Sequence, residues 1–72
     1  MPLVDIHIIE GVFDQSQKQE MIKQVTDVMV AIEGESLRGV TWVKINECKS
    51  GDWAIGGQPL STQDVLNLQQ SE

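Results

Sequence analysis

Two runs of β-forming residues with a helix-length stretch between them restrict what this chain can become more than any other feature. The first run, Pro2-Leu3-Val4-Asp5-Ile6-His7-Ile8-Ile9, alternates, with Val4, Ile6 and Ile8 on one face and Asp5 and His7 on the other. Gly11 closes it. Asp14, followed three residues later by Gln17, has the spacing of a capping box, in which the carboxylate accepts from first-turn amides. From Ser16 to Ile32 the apolar residues Met21, Ile22, Val25, Val28, Met29 and Ile32 recur at helical spacing, and Gly34 supplies the stop. A turn over Glu35 to Gly39 leads into a second β-type run, Val40 to Glu47. A helix of this length between two strands favours a right-handed crossover and hence a parallel pair with the helix on one sheet face.

The remainder is shorter and less patterned. Ser50 to Gly57 reads as a turn with a short strand or hairpin, and Val65, Leu66 and Leu68 suggest a last short helix within a polar tail over 61–72. The fold class is therefore α+β, a small β-α-β unit with a C-terminal hairpin, in one domain over 1–72. A domain of 72 residues buries only about 60% of the surface its unfolded chain exposes. Such domains need a staple. The lone Cys48 forms no disulfide within the chain, and His7 is the only histidine, so no structural metal cluster is expected. Two strands also leave open edges and an uncovered face. Assembly of copies is the remaining route.

Charge and hydropathy narrow the partners. Eleven acids against five bases give a net charge of -6, with no basic cluster, which disfavours nucleic acid. The first apolar run is broken by Asp5 and His7 and has no basic leader, so neither a signal peptide nor a membrane span is expected, and the reading is a cytoplasmic protein.

Met1-Pro2, the strand ending Ile8-Ile9-Glu10-Gly11, the helix start from Asp14 to Val25, Glu47 at the end of the second strand, and Asp52-Trp53-Ala54-Ile55-Gly56-Gly57 occur in an order and spacing that resembles the 4-oxalocrotonate tautomerase family. The similarity spans Pro2 to about Leu60. The resemblance implies a homohexamer, a trimer of dimers, with sites at subunit boundaries, removal of Met1, and Pro2 as a terminal amine acting as general base. The implied reaction is keto–enol tautomerisation of a small keto acid without metal or organic cofactor. A terminal proline suits this task, because its ring fixes the lone-pair direction and an apolar pocket lowers the amine pKa. Trp53 stands where the family carries an aromatic pocket wall.

The chain departs from the family pattern at two positions. Val12 and Trp42 occupy places where the resemblance implies arginines, and neither replaces a bidentate guanidinium, so a keto acid that is less charged than a dicarboxylate dienol, or otherwise different from it, is expected. Arg38 and Lys44 flank the region, with Lys44 on the strand face of Trp42, as candidates for stabilising charge on an enol oxygen. Two other readings stand beside this one: decarboxylation or dehalogenation run on the same proline, and a catalytically silent oligomeric binding protein. His7 is read as structural and Cys48 as inert.

Overall fold

The structure is a computed structural model and describes residues 1–71. Strand β1 runs Leu3–Ile9, helix α1 runs Gln15–Glu33, and a 3-10 segment over Glu35–Val40 leads into strand β2, Trp42–Cys48. Strands β3 (Trp53–Ile55) and β4 (Gln58–Leu60) form the hairpin, and helix α2 covers Thr62–Gln70. The β1/β2 pair is parallel, as the crossover argument requires, and β3/β4 is antiparallel. The second strand begins two residues later than the β-rich run suggests, because Val40 is taken by the 3-10 segment.

The capping box at Asp14 forms as read. Its Oδ1 accepts from the Gln17 amide at 2.8 Å, and Gln17 Oε1 accepts from the Asp14 amide at 2.9 Å. Gly34 ends α1 at φ 109°, a region open to glycine, with its own amide bonded to the Val30 carbonyl. The last short helix suggested within the polar tail forms as α2, over Thr62–Gln70. Ser61 and Asp64 make a second reciprocal capping box, which satisfies amides that would otherwise lack partners.

Register assigns the sheet faces. Val4, Ile6 and Ile8 sit opposite Val43, Ile45 and Glu47 on the face that meets α1, where Lys18 pairs with Glu47 at 3.3 Å. Leu3, Asp5 and His7 sit opposite Trp42, Lys44 and Asn46 on the other face. The buried core is small, comprising Ile8, Ile9, Val12 and Val30. The helical stripe needs correction. Val30, absent from the expected stripe, is its buried member, whereas Val28 is 60% and Ile32 80% exposed. A two-stranded sheet is too narrow to cover the full apolar arc of a helix this long.

Candidate functional site

The far end of β1 is where the molecule closes. Glu10 N donates to Cys48 O at 2.8 Å, prolonging the parallel ladder by one bond, and Gly51 N donates to Leu60 O at 2.9 Å, tying the hairpin base. Helix α2 is fastened to the same place. Thr62 N donates to Ser50 Oγ at 2.8 Å, its hydroxyl donates to the Glu10 carbonyl, and Ser50 N donates to Glu10 Oε1 at 3.3 Å. Gly11, at φ 81°, lets the chain turn beneath this contact; a Cβ there would lie 3.0 Å from Thr62 Cγ2.

Beside these connections lies an open pocket of about 300 Å³, at the small end of the range for small-molecule sites. Strand β1 contributes His7, Ile8 and Ile9, and the following loop contributes Val12 and Phe13. The hairpin supplies Trp53, Ile55 and Leu60, and α2 supplies Val65. The walls are almost wholly apolar. His7 is the one titratable residue of the lining, and His7 and Trp53 are the two whose side chains carry an N–H donor.

The residues singled out from the sequence divide into three groups. Val12 and Trp53 meet in this cavity, with Val12 8% exposed. Pro2 lies at the opposite end of the sheet, its carbonyl accepting from Trp42 N at 2.9 Å. At about 3.3 Å per residue, β1 separates Pro2 from the cavity by roughly 20 Å, so Trp53 does not wall Pro2 of its own chain. Trp42, 62% exposed, stands beside Pro2 on the open face.

Arg38 and Lys44 do not reach the cavity within this chain. Arg38 Nε donates to Glu35 Oε1 at 2.7 Å and Nη1 to Asp27 Oδ1 at 3.1 Å. These bonds hold the Glu35 and Asp27 carboxyls below their ordinary range; for Asp27 the larger cause is its hydrogen bond with Lys23. Lys44 Nζ is 3.9 Å from Asp5 Oδ1 across the open face. Cys48 Sγ lies 3.5 Å from the Asp52 carbonyl oxygen. Among the described residues no group of three or more His, Cys, Asp or Glu is placed to hold a metal ion, and no helix is long and apolar enough to cross a membrane.

The sequence reading missed His7, Ile8, Ile9, Phe13, Ile55, Leu60 and Val65 as cavity residues. Only Phe13 and Ile55 carried a usable signal, each being apolar in a segment too short to bury it locally.

Residues 2–63 match the family model for Tautomerase, described as tautomerase enzyme. No curated protein matches the chain. Among solved structures, the apo form of an unfused 4-OT superposes with a TM-score of 0.72 at 25% identity, covering 82% of this chain and 93% of that one. A structure from work on the 4-oxalocrotonate tautomerase isozymes of Methylibium petroleiphilum gives 0.70 at 29% identity, covering 89% and 97%. DmpI from Helicobacter pylori gives 0.70 at 27% identity, covering 82% and 95%.

Proposed function

Because the chain belongs to the tautomerase family, we propose that it is an isomerase catalysing keto–enol tautomerisation of a small keto acid, with Pro2 as general base after removal of Met1. The observation that carries the reading is the apolar cavity built around Trp53 and Val12, far from Pro2 of the same chain. A working site then needs two copies, with Pro2 of one presented to the cavity of another.

The shape of the single chain supports that assembly. Its radius of gyration is 14.8 Å, against about 11 Å for a compact domain of this length. Leu3 at 51% and Trp42 at 62% exposure leave the sheet face beside Pro2 uncovered. Met1 is 76% exposed, so its removal sacrifices little buried surface.

The chemistry follows from the parts. The neutral Pro2 nitrogen takes the enol O–H proton as the C=C electron pair relocates, the oxygen becoming a carbonyl. The resulting ammonium returns a proton to carbon, so the amine is regenerated and no group is gained or lost. Enclosure by apolar walls disfavours the charged amine and moves its pKa toward neutrality, where a base works best. Developing charge on the substrate oxygen calls for a nearby donor, and His7 and Trp53 are the cavity residues that carry one.

The test is ketonisation of simple enol pyruvates, followed by ultraviolet absorbance, for the parent protein and Pro2→Ala, with intact mass and sedimentation on both. The expected outcome is a mass without Met1, an oligomer in both proteins, and a loss of about 100-fold or more in kcat for Pro2→Ala. Equal turnover by the two proteins overturns the base assignment. An intact oligomer without Pro2-dependent turnover on any enol transfers the weight to a silent binding protein.

A further inference from the structure

The parallel ladder has one bond that the unprocessed chain cannot make. At the closed end Glu10 N donates to the Cys48 carbonyl, and at the open end Trp42 N donates to the Pro2 carbonyl at 2.9 Å. The register is unbroken between them, from Ile9 opposite Cys48 to Leu3 opposite Trp42. In such a ladder every second β1 residue turns both its N–H and its C=O to the neighbouring strand. Stepping back in twos from Glu10 and Cys48 leads to Pro2 and Val40, so the next bond would run from Pro2 N to the Val40 carbonyl. A proline inside a chain has no N–H to give. The Met1 amine donates to the Val40 carbonyl in its place.

Removal of Met1 changes the donor. Pro2 N becomes a secondary amine, with one N–H when neutral and two when protonated. We propose that the Val40 carbonyl is a positioning group for this amine, accepting the Pro2 N–H at the ladder position and so orienting the nitrogen lone pair. Ring bonds fix two of the four directions around the nitrogen, and the Val40 bond fixes a third. The fourth, the lone pair, is then the one place where a substrate proton is received. The catalytic part of this role rests on the reading of Pro2 as base; the bond itself lies within one strand pair and needs no second copy.

The Val40 carbonyl is itself held. It ends the 3-10 segment, where Thr41 N donates to the Arg38 carbonyl at 3.2 Å and the Thr41 hydroxyl lies 2.8 Å from the Leu37 carbonyl oxygen. The charged groups around this end are partnered: Glu33 of α1 with the Thr41 hydroxyl, Arg38 with Glu35 and Asp27, and on the strands Asp5 with Lys44. A charged donor makes the stronger hydrogen bond, so the Val40 carbonyl favours the protonated amine over the neutral one.

The first test is a crystal structure of the processed protein, in which Pro2 N should lie within about 3.2 Å of Val40 O. A separation beyond about 3.5 Å overturns the proposal. The second test weakens the acceptor in the full chain, made by chemical synthesis with an ester in place of the amide between Val40 and Thr41. NMR titration of an isotopically labelled Pro2 nitrogen should then give an amine pKa lower by about 0.5. On a simple enol pyruvate kcat should fall about tenfold with KM little changed, and the acid limb of kcat should move to lower pH with the amine. This ester also removes the Thr41 N–H. An ester between Arg38 and Gly39 weakens the acceptor of that N–H while keeping the Val40 amide, and it should leave the amine pKa unchanged. An amine pKa that does not fall with the Val40 ester, or falls equally with both esters, overturns the proposal. Distance and titration are read without turnover. A short Pro2 N to Val40 O distance, together with equal turnover by Pro2→Ala, therefore keeps the bond and removes the base assignment.

Discussion

The two ends of the parallel strand pair are built from similar residues and meet opposite fates. At the Ile9 end the ladder is extended by Glu10, closed over by the hairpin and clasped by α2 through Thr62. At the Pro2 end the Trp42 amide donates to the Pro2 carbonyl and the Met1 amine to the Val40 carbonyl, nothing among the described residues folds over them, and Leu3 and Trp42 remain more than half exposed. The difference teaches that one chain completes only half of its apolar architecture. The closed end already has a cavity; the open end has the proline and an uncovered sheet face.

Core truncation gives the sharpest test of that contrast. Ile8→Ala, at the closed end, should cost about 2–5 kcal/mol in urea unfolding. Leu3→Ala should cost more as protein concentration rises, because the proposed assembly covers this end. A cost under about 0.5 kcal/mol at every concentration would show that the open end stays exposed in solution.

The clasp should be next most sensitive. Gly11→Ala places a side chain at φ 81° and 3.0 Å from Thr62 Cγ2, so about 1–2 kcal/mol of backbone strain adds to the displacement of α2. A melting temperature unchanged from the parent would show that α2 does not hold the closed end. Ser61→Ala removes the acceptor for the Asp64 amide and should cost about 1 kcal/mol, read as faster amide exchange within α2 while β1 remains protected. Equal acceleration in both elements would mean that helix and strand open as one unit.

The smallest effect is electrostatic. The Asp14 carboxyl is held below its ordinary value of 3.8, chiefly by the Gln17 amide and then by the Ser16 hydroxyl. A depressed folded-state value means that its stabilisation is fully present above about pH 4 and is lost as the pH falls through the lower folded value. Asp27 and Glu35 are shifted in the same direction. Asp14→Asn keeps a capping acceptor without the titration, so its stability profile below pH 4 should be flatter than the parent's in acid unfolding. Superimposable profiles would remove Asp14 from the acid response.

Much of the fold was legible because its signals are local. Alternation in Val4, Ile6 and Ile8, the Asp14–Gln17 box and the Gly34 stop depend on neighbours a few residues away, and each formed as read. The parallel pairing followed from crossover length. Helix α2 extends beyond the short helix that Val65, Leu66 and Leu68 suggest, because the Ser61–Asp64 box starts it at Thr62. Val30 was left out of the expected helical stripe because periodicity gives an apolar arc, while the sheet beneath selects which part of it is buried.

The cavity was legible in only two of its members, Val12 and Trp53, and not in its arrangement. Pro2, Val12 and Trp53 stand out in the sequence by type and order, but that they fall at two ends of one sheet is a consequence of strand length and register. His7 looked structural because it stands alone on the polar side of β1; only the hairpin and α2, folding back across that end, make it part of a cavity. The sequence by itself determined the elements, the parallel crossover and the scarcity of cations, since these depend on local backbone preference and composition. Tertiary structure alone decided that the cavity lies far from Pro2 of its own chain and that four of the five bases are paired away from it. Both are properties of distance in space, fixed by how a narrow two-stranded sheet is closed at one end and left open at the other.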